Sequence, residues 1–287
     1  MKKGFTLIEI IGVIVLLGVI ALFSIPALTQ TISDSAEKQY EEYVKNIKIA
    51  AESYFHNETD GTIDGEYFIT VGTLYEDGSL KKQTNPKTEK ETPGFATITI
   101  TKNEDNTENY ELSEKDLTVD KYKQGLILWY DGYILPEDNI WKDLTDNSEA
   151  VLDNYYYDYN GIRLGSLDIS GISTNSSYTL ELTFLYNTYG YLIDDILLSS
   201  NQIIISDLSI SANPKEKYTL TIVMDGTRRT IYLNGALVTT DNGLTSLDDM
   251  KIENFDGKIY SIRVYDKVLS YSDVYENYMV DKYRFGV

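Results

Sequence analysis

From Phe5 to Leu28 the chain is apolar apart from Thr6, Glu9, Ser24 and a few glycines. As helix this run would be about 36 Å long at roughly 1.5 Å per residue, enough for the hydrocarbon core of a bilayer. Beyond it Ala36, Tyr40, Tyr43, Val44, Ile47, Ala51, Tyr54 and Phe55 recur at steps of three and four. Asp34, Glu37, Glu41, Lys45 and Lys48 fill the other face, with Glu41 and Lys45 as an i,i+4 pair. The pattern predicts one helix from about Phe5 to His56, near 78 Å long, that stops in the polar segment Asn57–Gly65.

The period then changes. Thr70 to Gly78 reads as a short capped helix. Phe95–Thr101 alternates apolar residues with threonines, a half-buried strand whose hairpin partner is Asn109–Leu112. The charged run Ser113–Gln124 reads as a linker. From Gly125 to Tyr265 short β-rich runs alternate with turn residues, and Asp225-Gly226 and Asn234-Gly235 are the clearest hairpin turns. Ser270 with Asp273 forms a capping box for a terminal helix whose Val274, Tyr278 and Met279 would pack on a sheet.

Composition narrows the function classes. The chain has 287 residues, 42% of them hydrophobic, and 45 acidic against 25 basic residues give a formal charge of -20. That field opposes binding to phosphate backbones, so no nucleic acid partner is expected. No cysteine is present, which excludes disulfides and thiolate sites and suits a Gram-positive bacterial surface. The single histidine, His56, falls at a helix end and reads as a solvent-facing residue.

An ordinary anchor would not carry Glu9, because a carboxylate in hydrocarbon costs about 2.5–3.5 kcal/mol without a partner. The string Gly4-Phe5-Thr6-Leu7-Ile8-Glu9 behind Lys2 and Lys3 resembles the prepilin processing motif of type IV pilins and pseudopilins. The resemblance implies cleavage by a prepilin peptidase between Gly4 and Phe5, N-methylation of Phe5, and pairing of Glu9 with the terminal amine of a neighbouring subunit during assembly. Pro26, with Gly18, marks where such a helix could bend.

The run Tyr218–Gly235, the closing Phe255–Tyr265 and the opening Leu126–Gly132 with Trp141–Leu144 resemble laminin G-like, concanavalin A-like jelly rolls. The expected fold class is therefore α+β and all-β: a long N-terminal pilin helix with a small αβ head, followed by an antiparallel β-sandwich. The boundaries are 1–4 leader, 5–28 transmembrane and polymerisation helix, 29–112 amphipathic helix and head, 113–124 linker, and 125–287 jelly roll. Glycan hydrolases of this fold place carboxylates at alternate positions of one strand. Here Glu181 stands alone, and the adjacent Asp194 and Asp195 would face opposite ways, so no enzyme is expected. Calcium is the candidate cofactor, with Asp131, Asp225 and Asp256 as weak ligand candidates and Asp248 and Asp249 in neighbouring loops. Tyr155-Tyr156-Tyr157, Tyr159, Tyr189 and Tyr191 suit strands and, as a hypothesis, a ligand surface. Arg228-Arg229 reads as a solvated pair.

These features together point to a minor pilin-like subunit, single-pass in the membrane and then part of a cell-surface filament. It would assemble with other pilin subunits and display an adhesin-like domain for a surface glycan or matrix protein. The alternatives are a pseudopilin of a type II-like secretion or competence DNA-uptake machine, and a surface glycan hydrolase.

Overall fold

Among the described residues, the buried ones of helix α1 (Leu7–Thr59) lie in its second half. Tyr43, Ile47, Ala50, Ala51 and Phe55, spaced by three and four, form one stripe against Ile69, Val71, Leu74, Ala96, Ile98 and Ile100. Those partners come from β1 (Glu66–Thr70), α2 (Val71–Asp77), β2 (Thr97–Lys102) and the segment before β2, and β3 (Glu108–Ser113) completes an antiparallel β1-β2-β3 sheet. Thr70 caps α2 and Gly78 ends it at φ 84, as the local sequence predicts. The computed structural model describes residues 7–59, 66–103, 105–114, 124–158, 160–193, 196–243 and 247–287. Gly4, Phe5, Tyr159, Asp194, Asp195 and most of the expected linker lie outside them.

The rest of the chain is built from strands β4 (Leu126–Asp131), β5 (Ile140–Lys142), β6 (Glu149–Asp153), β7 (Tyr156–Tyr157), β8 (Ile162–Leu164), β9 (Ser166–Ser170), β10 (Ser177–Tyr186) and β11 (Gly190–Tyr191). There follow β12 (Ile196–Ser199), β13 (Gln202–Ile205), β14 (Leu208–Ser211), β15 (Lys217–Asp225), β16 (Arg228–Leu233), β17 (Ala236–Asn242), β18 (Met250–Ile252) and β19 (Gly257–Tyr265). Helix α3 (Tyr271–Phe285) comes last and begins with the Ser270–Asp273 capping box. One sheet runs β17-β16-β15-β10-β19-β8-β7, and β4 pairs with β19 beyond β8. Two four-stranded sheets, β18-β9-β6-β5 and β11-β12-β13-β14, share an apolar core with it.

Strand alternation explains how the large sheet is buried on both faces. On β10, Tyr178, Leu180, Leu182, Phe184 and Tyr186 join the core between sheets. Thr179, Glu181 and Thr183 point the other way and are equally buried. That outer face is covered by α3, whose Val274 and Val280 pack with Trp129, Val223, Tyr232 and Tyr265.

Helix α3 also has a second buried face. Ser272, Glu276 and Tyr283 recur at helical steps and meet the head: Ser272 bonds the Tyr67 hydroxyl at 2.8 Å, and Glu276 accepts from the Thr70 N–H at 2.8 Å. The Tyr283 ring lies between Gly72 and Gly94, where a Cβ would fall 2.1 and 2.2 Å from its carbons. The Lys282–Glu76 ion pair closes the same seam.

Two expectations are corrected. The chain is a mainly β architecture rather than an α+β and all-β protein led by a membrane-spanning pilin helix. Among the described residues no helix is long and apolar enough to cross a membrane, which overturns the single-pass placement and the cell-surface route built on it. The described large apolar side chains from Leu7 to Val19 of α1 are exposed. Helix α1 continues through Pro26.

Candidate functional site

The outer face of the large sheet, where a carboxylate pair of a glycan hydrolase would sit, is a closed ionic cluster. Glu181 on β10 stands directly opposite Arg263 on β19 and accepts from its Nε at 3.0 Å. The guanidinium turns its other nitrogens to Asp281 of α3, at 3.0 and 2.7 Å. Asn277 donates to Glu181 at 2.8 Å and to the Tyr265 hydroxyl at 3.0 Å, and Thr183 donates to Asp281. Two carboxylates share one guanidinium here, and burial pushes Glu181 up to about 7 against the opposing pull of Arg263. With α3 above it, no member of this cluster faces solvent.

The calcium candidates do not converge. Asp131 is spent on Arg284 Nη1 at 2.7 Å and on the Tyr133 N–H at 2.9 Å. Asp225 pairs with Ser177 at one end of β10, whereas Gly257, next to Asp256, pairs with Tyr186 at the other. Nine strand steps separate those ends, about 30 Å at roughly 3.3 Å per residue. Asp249 accepts from the Gly171 N–H at 2.9 Å and Asp248 from the Ser173 hydroxyl at 3.2 Å, which fastens a loop. Among the described residues no three such side chains are grouped to hold a metal ion. His56 meets Glu108 at 3.0 Å, and Arg229 holds Asp241 with two bonds of 2.8 Å.

An open site forms instead where three strands of the small sheet end. Asp153 pairs with Ser166, and the next step pairs Leu167 with Ile252, so Asp153, Ser166 and Glu253 lie side by side across β6, β9 and β18. With Asn154, Gly165, Asn254, Phe255 and Asp256 they line a cleft of about 450 Å³. Asn154 and Asn254 both sit at φ 51, the left-handed turn conformation asparagine tolerates, which swings the chain away at each strand end.

Asp256 clamps the wall of the cleft. Its carboxylate accepts from Asn187 Nδ2 at 2.8 Å and from the Thr188 hydroxyl at 2.9 Å, while its carbonyl accepts from the Asn187 N–H at 2.7 Å. The loop so held presents Tyr189 and Tyr191, 50% and 41% exposed, with ring centroids 5.9 Å apart and nearly perpendicular. Gly190 between them lets this loop lie against residues 254 and 255, because a Cβ would come within 3.0 Å of the Asn254 carbonyl oxygen and the Phe255 Cα. Sequence reasoning named Asp256, Tyr189 and Tyr191 but missed Asp153, Asn154, Glu253 and Asn254. Their only local signal is a turn-forming Asp-Asn or Glu-Asn pair after a short strand.

The chain is similar to solved structures over part of its length. No family model and no curated protein matches it. Among solved structures, it is similar to Trypanosoma rangeli sialidase in complex with sialic acid, at TM-score 0.45 and 11% identity over 65% of this chain and 43% of that one. The binding domain of Paraclostridial Mosquitocidal Protein 1 gives TM-score 0.44 and 14% identity, over 54% of this chain and 52% of that one. Domain 4 of AbnA, a GH43 extracellular arabinanase from Geobacillus stearothermophilus in complex with arabinotriose, gives TM-score 0.41 and 14% identity over 53% of this chain and 97% of that one. The chain thus spans less than half the length of the sialidase.

Proposed function

We propose that this chain is a pilin-like, filament-forming subunit whose laminin G-like β-sandwich binds a carbohydrate in the cleft beside Tyr189 and Tyr191. The observation that carries the binding role is the cleft itself, a concave site lined by carboxylate and amide groups, with the exposed Tyr189 and Tyr191 on the neighbouring loop whose Gly190 lies against Asn254 and Phe255. Rings offer apolar faces to sugar C–H groups, while acids and amides take up hydroxyl hydrogen bonds. Binding rather than hydrolysis fits the ion-paired, covered state of Glu181 and Asp281. Calorimetric titration of the full chain against a soluble glycan panel tests the reading. The double change Tyr189→Ala and Tyr191→Ala should weaken any hit at least tenfold without lowering Tm, and unchanged binding would sink it.

A second observation favours assembly. Ten large apolar side chains between Leu7 and Val19 stay 46–78% exposed, because the head covers only the later turns of α1. Such a row invites helix–helix packing with copies of the chain or related subunits. On this reading a prepilin peptidase acts between Gly4 and Phe5, and Glu9 offsets the amine of a neighbour. Glu9→Leu should leave the head folded yet abolish incorporation into filaments; normal incorporation of that variant would rule the mechanism out.

A further inference from the structure

We propose that Lys258 and Asn160 join in an intramolecular isopeptide bond, with Asp158 as the group that moves the protons. The Lys258 side chain reaches from β19 to the turn between β7 and β8, where Asn160 lies 98 positions away in sequence. Its Nζ donates to Asn160 Oδ1 and to the Asp158 carbonyl oxygen, each at 2.8 Å, and lies 3.2 Å from Asp158 Oδ2. With a C=O bond of about 1.2 Å, that hydrogen bond sets the nitrogen about 3.5 Å from the amide carbon, the separation of a near-attack arrangement.

The turn is shaped around this lysine. Gly161 has no side chain where a Cβ would fall 2.6 Å from Lys258 Cε, and Gly132 has none where one would meet the Asn160 carbonyl oxygen at 2.4 Å. The Asp158 N–H donates to the Gly161 carbonyl at 2.9 Å and the Asn160 N–H to the Asp158 carbonyl at 2.6 Å, which holds the amide beside the amine. Lys258 is 7% exposed and its Nζ lies 5.0 Å from the centroid of the Tyr260 ring, so burial restricts the access of water. The chain has no cysteine, so a disulfide cannot fasten β19 to this turn.

In the step, the Lys258 ammonium gives a proton to the Asp158 carboxylate and the freed amine attacks the Asn160 amide carbon. The Nζ–Cγ bond forms and the Cγ–Nδ2 bond breaks. Asp158 carries two protons in turn from Nζ to Nδ2, so the nitrogen departs as ammonium and Nζ keeps one proton as the new amide N–H. Charge and atoms balance without an oxidant or a cofactor.

Tryptic digestion of the purified full chain, read by mass spectrometry, tests the bond. Residues 143–163 and 252–263 should appear as one branched species, one ammonia short of the sum of its two arms, because a bonded Lys258 resists the protease. Asn160→Ala and Lys258→Arg should each abolish it. Asp158→Ala should keep the wild-type circular dichroism and lower the branched fraction at least tenfold. Separate peptides 143–163, 252–258 and 259–263 with no branched species would overturn the bond, as would a branched species that persists in Asn160→Ala. An undiminished branched fraction in Asp158→Ala would overturn the role of Asp158.

Discussion

The Glu276 carboxylate reaches the Thr70 backbone N–H at 2.8 Å across 206 positions of sequence, and takes the Thr73 hydroxyl as well. Its residue is buried, and burial, partly offset by those donors, pushes the carboxyl up to about 7. Head and sandwich are therefore joined at a polar contact that has no water to fall back on. Glu276→Ala should leave the Thr70 N–H unpaired and cost about 1–3 kcal/mol. Urea unfolding with hydrogen exchange at residues 70–73 measures it.

Stability should fall as pH rises between about 4.5 and 7. Glu276 and Glu181 both hold their protons up to about 7 when folded, against an ordinary value of 4.5. In that window the folded chain keeps protons that the unfolded chain has released, so each unit of pH favours unfolding. Each group contributes on the order of 3 kcal/mol across the window. Denaturation midpoints at pH 5 and pH 7.5 give the sign, and Glu276→Gln should flatten the slope and exceed the wild type at the higher pH.

Arg263 holds two buried carboxylates at once, so removing it alone should be severe. Arg263→Met is expected to cost about 3–5 kcal/mol, since Asp281 would be left as an uncompensated buried charge. The triple change Arg263→Met, Glu181→Met, Asp281→Leu should recover most of that loss. A triple variant no more stable than the single one would show that the cluster does more than neutralise itself.

Gly72 and Gly94 leave a slot for the Tyr283 ring. Gly72→Ala should destabilise the chain by about 1–3 kcal/mol through overpacking. In a double-mutant cycle, adding Tyr283→Ala should remove most of the extra cost of the alanine. Additive effects of the two changes would mean the ring leaves the slot in solution.

What could be read from the sequence was what local chemistry encodes. The Thr70–Gly78 helix, the hairpins at Asp225-Gly226 and Asn234-Gly235, and the Ser270–Asp273 capping box all stand in the structure because turn and cap residues act on their own neighbours. The two-sidedness of α3 was hidden: Ser272, Glu276 and Tyr283 look like a solvent face, and the head packs against all three and buries Glu276. Asp131 suggested a metal ligand because Arg284 lies 153 positions away. The apolar N-terminal run gave the wrong fold class and location, because apolarity alone counts residues and not how much of the chain forms strands. The cleft was only half legible, since the tyrosine loop beside it is recognisable while its lining is assembled from the ends of three separate strands.

The same helix that joins head to sandwich also sets an order in time. On a ribosome moving at about 5–20 residues per second, the Thr70 N–H emerges roughly 10–40 s before Glu276 exists to accept from it. The slot between Gly72 and Gly94 waits as long for Tyr283. Until then the head is an unfinished surface, and the apolar row from Leu7 to Val19 is made long before the sandwich.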